Sequence, residues 1–321
     1  MWPLRSMSRS ESPSQPVLVV GAGGYLGEAI VRALVKDGRD VRGLVRTPAA
    51  QARAEAAGAR TVRGDVLDFA SVAAASQGCE AIVHVAAVNS PSPEDPRRPE
   101  QVRVEGCRQL LRAARENQVR RLVVGSGYWV YADNPGTIRE DSPLDPRGES
   151  LINYRTEEVA RDPQLKGAPE VIVVRPGMVY GNGSWCRAAI EAVLGERYSY
   201  IGGGRNPWSF ISLEDAGSAF VRVAARGKPG EVYNLVDGRP APWKEFGDFL
   251  ADRLSCRPPS NVSDERATAN LGPDVVHHLT ARRACSATKL QSLGWAPRFP
   301  DFRAGLPSVL EEIRGSPGDG H

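Results

Sequence analysis

The segment with the plainest chemistry is Gly21-Ala22-Gly23-Gly24-Tyr25-Leu26-Gly27, which lies between a short apolar run and a longer helical one. A pyrophosphate approaches a helix N-terminus closely only where side chains are absent, because backbone N–H groups and the helix dipole do the binding. Gly21 allows the tight turn, Gly24 the close approach, and Gly27 the packing of helix on strand. The bland alternative is an ordinary strand-to-helix turn, but strand, loop and helix in this order favour a dinucleotide. At the end of the next apolar run, where such sites present an acid to the adenosine ribose, the chain carries Arg46. A guanidinium pairs with a 2′-phosphate through charge-assisted, forked contacts, so NADP is expected ahead of NAD. Read structurally instead, Arg46 is one more surface arginine.

These residues need a scaffold, and the chain alternates short β-rich runs with helical stretches, as a parallel sheet covered on both faces does. Strands are predicted at Pro16 to Val20, Val41 to Val45, Arg60 to Arg63, Ala81 to Val85, Arg121 to Gly125 and Val171 to Val174. Helices are predicted at Leu26 to Lys36, Pro48 to Ala57, Phe69 to Ser76, Glu100 to Asn117 and from near Tyr154. The expected fold is α/β, a doubly wound parallel (Rossmann) sheet with a smaller C-terminal substrate lobe. The alternation fails after Pro176, so the Rossmann domain is placed at 16–180 with 207–238 returning to it, and the lobe at 181–206 and 239–314. Further strands are read at Phe210 to Leu213 and Val232 to Leu235, and a helix at Pro242 to Leu254. Residues 1–15 and 315–321 read as polar tails. Met7 competes with Met1 as the natural start.

Gly64-Asp65-Val66 and His84-Val85-Ala86-Ala87 follow the third and fourth strands, where small residues leave room for a ligand. His84 by itself reads as a core histidine. Together with the glycine loop, these segments resemble the extended short-chain dehydrogenase/reductase family. Arg175-Pro176-Gly177-Met178-Val179-Tyr180-Gly181 resembles its Arg-Pro-x-x-Val-Tyr-Gly turn, Phe210-Ile211-Ser212-Leu213-Glu214-Asp215 its Phe-Val-His-Val-x-Asp segment, and Leu293-Gly294-Trp295-Ala296-Pro297 its Leu-Gly-Trp-x-Pro signature. The resemblance spans nearly the whole folded chain. It implies that Gly21, Gly24, Tyr25, Leu26, Gly27, Arg46, Asp65, Val66, Ala86, Ala87, Tyr154 and Pro176 hold the cofactor.

The family works with an Asn, a Ser, a Tyr and a Lys four residues after the Tyr, the ammonium lowering the phenol's pKa from near 10. Here Tyr154 stands at the Tyr, Arg103 replaces the Asn in Arg103-Val104-Glu105-Gly106-Cys107, Gly127 replaces the Ser beside a surviving Ser126, and Glu158 replaces the Lys. Tyr154, Ser126, Glu158 and Arg103 are therefore the candidate catalytic set. A carboxylate beside Tyr154 raises its pKa, so the usual relay is not expected. Facing positions would let Arg103 and Glu158 form an ion pair.

The 321 residues carry 41 Lys and Arg against 38 Asp and Glu, too even a balance to attract nucleic acid or an anionic membrane. Five scattered cysteines suggest neither disulfides nor structural zinc, no metal site is indicated, and a cytoplasmic protein is expected. Trp129, Trp185, Tyr198, Tyr200 and Trp208 fall where a lobe could face an apolar or aromatic small molecule, although aromatics are more often core. A homodimer is compatible with the family resemblance. The leading expectation is an NADP-dependent enzyme acting on a carbonyl or hydroxyl of a small substrate, by reduction, dehydrogenation or epimerisation. Alternatives are a non-redox cyclase, dehydratase or isomerase on the same scaffold, and a nucleotide-sensing protein without turnover.

Overall fold

The computed structural model describes residues 15–88, 93–164 and 169–315. Apart from Gln15 and Gly315, the expected tails, and with them the choice between Met1 and Met7, lie outside the described residues. Seven parallel strands form the central sheet: β1 (Val17–Val20), β2 (Val41–Val45), β3 (Arg60–Arg63), β4 (Ala81–His84), β5 (Arg121–Gly125), β6 (Glu170–Pro176) and β7 (Val232–Leu235). Their order is β7-β6-β5-β4-β1-β2-β3. Most are Val-rich runs buried on both faces, as a sheet sandwiched between helix layers requires. Period-two alternation sends Val17 and Val19 to one layer and Leu18 and Val20 to the other.

The first layer contains α1 (Tyr25–Lys36), α2 (Pro48–Ala56) and, returning late in the chain, α6 (Leu213–Arg226). Helices α1 and α6 approach closely because Gly217 has no side chain: a Cβ there would sit 2.5 Å from Ala29 O. Ile30 and Phe220 are fully buried in this layer, each contributing roughly 1.5–3 kcal/mol of apolar burial. On the opposite face lie α3 (Phe69–Ser76), capped by Asp68 on Ala70 N and Ser71 N, α4 (Gly106–Glu116) and α5 (Glu149–Ala160). Helix α4 is entered through a π-helical turn, Gln101–Glu105. Helix α5 begins at Glu149, five residues before Tyr154, because Gly148 takes a left-handed turn (φ 51°) beside Asp274.

A second core gathers beyond the carboxyl edge of the sheet, from helices Ser184–Leu194, Trp243–Arg253 and Phe302–Gly315 and several two-residue and three-residue strands. The stretch read as a simple return to the sheet is divided. Pro207–Trp208 pairs with Ala241–Pro242 and Phe210–Ser212 pairs with Met178–Tyr180, while α6, β7 and the side chain of Ile211 join the central sheet's layers. Trp208 stacks on Trp243 at 4.8 Å, Trp185 packs edge-on to Trp208, and Tyr200 O–H donates to Asp248. Trp208 and Tyr200 are thus lobe core, and the aromatic run loses its reading as a substrate wall. Trp129 differs, stacking on His278 at 4.8 Å.

Candidate functional site

A cleft of about 450 Å³ crosses the carboxyl ends of β2, β1, β4 and β5. Gly21 holds φ 95°, and a Cβ there would press within 2.7 Å of the Ala86 backbone, so the loop can lie against the end of β4 only as glycine. Gly27 is bound equally tightly, with a Cβ position 1.9 Å from Gly21 O. Gly24, by contrast, meets only Gly21 O at 3.2 Å, and its open side faces the cleft at the start of α1. The first N–H groups of α1 have no intrahelical acceptor and no side chain caps them. This cradle fits a pyrophosphate.

Tyr25, Leu26, Val66, Ala86 and Ala87 line the same cleft. The Tyr25 hydroxyl donates to Val179 O, and its ring packs under Gly181 and Gly183, tying the glycine loop to the turn that enters the lobe. Arg46 stands exposed at the β2 end, next to the N-terminus of α2 that Thr47 caps, and no hydrogen bond or ion pair occupies it among the described residues. Asp65 accepts from Leu67 N and pairs with Arg98, a cleft residue that sequence reasoning missed. Pro176 closes β6, is buried, and does not line the cleft.

At the β5 end the sequence expectation needs correction. Arg103, carried by the π-helical turn, donates from Nη2 to Gly125 O (2.6 Å) and to Asn153 Oδ1 (2.7 Å). A Cβ on Gly127 would stand 3.1 Å from Asn153 Nδ2. The residue of α5 that faces Arg103 and Gly127 is therefore Asn153, and the residue one turn earlier on that face is Glu149. The motif's four-residue spacing fits Glu149 and Asn153 on this face, and Tyr154, one residue beyond Asn153, is turned off it by about 100°. Glu158 is exposed, and the ion pair expected between it and Arg103 is not formed. Tyr154 lines a separate surface cleft with Glu100, Glu105 and Arg108, and its hydrogen bond to Glu158 pushes the phenol's pKa up. Tyr154→Phe is accordingly expected to leave both dinucleotide affinity and turnover within about twofold of the native protein, as a surface change does. A fluorescence titration and an initial-rate assay check this, and a hundredfold loss of turnover would return Tyr154 to the site.

Beneath Asn153 lies a buried polar network. Arg175 and Glu157 form a two-point ion pair (2.9 and 2.6 Å), with side chains 2% and 4% exposed, and Ser126 Oγ donates to Glu157 Oε1. Arg175 also lies over the Tyr131 ring, 4.7 Å from its centroid. The Ser126 hydroxyl is thus held on the carboxylate, not on a ligand. His84 is fully buried with Nε2 against Arg103 O, and burial, then the Arg103 charge, push its pKa down to about 3. It is neutral at physiological pH. Burial also lowers Arg103, to about 10, which leaves it a cation. Among the described residues, no group of three or more His, Cys, Asp or Glu side chains is arranged to hold a metal ion.

Residues 17–235 match the model of the NAD dependent epimerase/dehydratase family. Among curated proteins, a 4-hydroxy-2-methyl-3-oxo-4-farnesyl-3,4-dihydroquinoline-1-oxide ketoreductase from Stigmatella aurantiaca is 29% identical over 85% of this chain and 84% of its own. A 3-diazoavenalumate denitrifying reductase from Streptomyces sp is 31% identical over 90% of this chain and 98% of its own. Among solved structures, gox2253 superposes with TM-score 0.81 at 23% identity, covering 94% of this chain and 98% of that one. DesIV, a dTDP-glucose 4,6-dehydratase from Streptomyces venezuelae with NAD and TYD bound, gives 0.79 at 24%, covering 93% and 97%. At such identity the structures speak for the fold alone. Family and reductase relatives together mark an enzyme of the oxidoreductase or epimerase class, working with NAD(P) on a small molecule. The glycine cradle, the strand order and a family match over most of the sheet lead to one assignment: the chain belongs to the NAD dependent epimerase/dehydratase family.

Proposed function

We propose that this protein is an NADP(H)-dependent reductase of small organic molecules that works without a tyrosine–lysine proton relay. One observation carries the reading. Helix α5 presents Asn153 to the β5 end of the cleft and turns Tyr154 away, so the dinucleotide cradle is kept while the phenol and ammonium are absent from their places. The cofactor, when bound, supplies the hydride. Gly24 and the α1 N-terminus would hold its pyrophosphate, Asp65 and Val66 its adenine side, and Arg46 with the α2 N-terminus its 2′-phosphate. The lobe of residues 181–206 and 239–314 would close over the substrate, and free cysteines suit a reducing cytoplasm.

Acceptors that need no proton from the protein suit this arrangement: Ser126 Oγ is committed to Glu157 Oε1 and His84 carries no charge to give. The relative named as a 3-diazoavenalumate denitrifying reductase is consistent with this, since hydride that takes the place of departing N2 needs no acid, whereas a ketone, as in the ketoreductase relative, would have to draw its proton from water. The test is NADPH oxidation followed at constant pH against a panel of aromatic ketones and diazo compounds, with deuterium transfer from labelled NADPH read in the product. Deuterated product supports a reductase. Tight NADPH binding with no transfer to any member would overturn it in favour of non-redox chemistry or a binder.

Cofactor choice is tested separately. Arg46→Ala is expected to weaken NADP by roughly 1.5–3 kcal/mol, the scale of a charge-assisted hydrogen bond, with NAD affinity barely changed. Equal losses for both dinucleotides in a calorimetric titration would remove Arg46 as the discriminator.

A further inference from the structure

The β5 end of the cleft carries a buried charge that no carboxylate pairs with among the described residues. Arg103 is 8% exposed, and both of its hydrogen bonds, to Gly125 O and Asn153 Oδ1, go to neutral acceptors. Its Nε is buried without a partner. The carboxylate whose charge is felt at Arg103, Glu157, is already spanned by both arms of Arg175 and accepts from Ser126. Arg103, Arg175 and Glu157 therefore sum to one positive charge, and His84 beside them is neutral. Other buried arginines are satisfied differently. Arg121 pairs with Glu170, and Arg283, although its acceptors are neutral too, leaves no nitrogen without a partner, Nε, Nη1 and Nη2 meeting Tyr131 O, His278 O and His277 Nε2.

A buried cation without a counter-ion costs several kcal/mol unless a ligand completes it. The cofactor's anionic groups belong elsewhere, at the glycine loop and, by the reading above on which this inference rests, beside Arg46 on the β2 side. The sheet order places β5 at the far end of the cleft from β2, separated by β1 and β4. The anion that reaches Arg103 must then come from the substrate. We propose that Arg103 is a receptor for a substrate carboxylate, held in place by Gly125 O and Asn153, and that the natural substrate is an organic acid. An arginine suits the task because its planar fork stays charged when dry and keeps donors free after Nη2 has been used.

The probes are 4-fluorobenzoate and its neutral isostere 4-fluorobenzamide, titrated by ¹⁹F NMR into the protein saturated with NADP. The benzoate is expected to bind about tenfold more tightly, the scale of one charge-assisted hydrogen bond. Arg103→Gln should bring the two within about twofold while NADP affinity changes by less than about threefold, and Arg103→Lys should keep part of the preference. Equal binding of both probes by the native protein overturns the proposal. So does an Arg103→Gln loss that falls as heavily on NADP, since the cation would then serve the dinucleotide. Failure of the native protein to bind NADP at all would instead sink the cofactor reading, and the benzoate preference measured without NADP still decides the role of Arg103. Should Arg103→Gln not fold, the ratio is read from Tm shifts of the native and Arg103→Lys proteins, where equal shifts for the two probes again overturn it.

Discussion

Glu157→Gln is expected to destabilise the fold by about 3–5 kcal/mol, far more than its isosteric shape suggests. The carboxylate meets Arg175 through two hydrogen bonds in a setting where both side chains are almost fully enclosed, and its neutral replacement leaves the guanidinium buried and unpaired. The amide would also turn an NH2 toward a donor that now meets an acceptor. Replacing both partners, as in Glu157→Leu with Arg175→Met, should cost much less, because packed apolar groups of similar volume often substitute for a buried pair without loss. Urea denaturation of the two variants gives the comparison. A single variant within about 1 kcal/mol of the native protein would show that the pair is not the anchor of α5. The functional consequence follows from position: Glu157 lies one turn after Asn153, so a loosened α5 should also blur the placement of Asn153 against Arg103.

This network explains where the sequence was legible and where it was not. Strands β2, β5 and β7 fall on their predicted bounds because short, largely apolar runs between turn residues have few other readings in a sheet covered on both sides, and β3, the polar edge strand Arg-Thr-Val-Arg, falls on its bounds too. The glycine loop was legible for a related reason, since Gly21 and Gly27 occupy places that admit no Cβ. Helix α5 was not legible. Its buried face carries Ser150, Thr156 and Glu157, so polar residues occupy the side that periodicity expects to be apolar, while Tyr154 is only half-buried. The tyrosine drew the motif five residues too far, from Glu149 and Asn153 to Tyr154 and Glu158. The available signal was Arg175: an arginine inside a buried strand needs a buried carboxylate, and Glu157, unlike Glu158, falls on the inward face with Ala160 and Asn153.

The same comparison alters what the lost motif means. Arg103 and Asn153 stand where the family resemblance implies an amide and an ammonium, and they touch. A cation and an amide are both still present at the β5 end, with their positions exchanged between the π-helical turn and α5. What has no replacement there is the phenol. Among the described residues, Tyr25 is the phenol that lines the cleft, and its hydroxyl is spent on Val179 O while burial raises its pKa out of useful range. Conservation of charge without conservation of the proton donor is what favours a hydride acceptor that needs no protein acid.

The stability of the native protein should fall as pH rises from about 6.5 to about 8, and Asp237→Asn should remove most of that slope; below about 6.5 the buried neutral His84, which the unfolded chain protonates, opposes Asp237 and flattens the profile. Asp237 follows β7 where the sheet edge meets the lobe. Its N–H donates to Phe210 O, its Oδ1 accepts from Arg239 N at 2.8 Å, and its Oδ2 is buried without a partner. Burial pushes its pKa up to about 8, and the nearby Asp301 and Asp215 charges add to the rise. The backbone hydrogen bond and the Arg239 charge oppose it without cancelling it. The unfolded chain releases this proton near pH 3.9, whereas the folded chain keeps it until about pH 8, so over that window the folded state holds the extra proton. Each unit of separation is worth about 1.4 kcal/mol, which sets an upper scale of about 6 kcal/mol for the full window. An asparagine keeps the Oδ1 acceptor and never ionises. In urea titrations at pH 5 and pH 8.5 the two proteins should lie close together at the lower pH and separate at the higher, with the variant more stable by several kcal/mol. Parallel profiles would mean that Asp237 ionises at an ordinary pH in the folded protein, and that water reaches Oδ2 where the sheet meets the lobe.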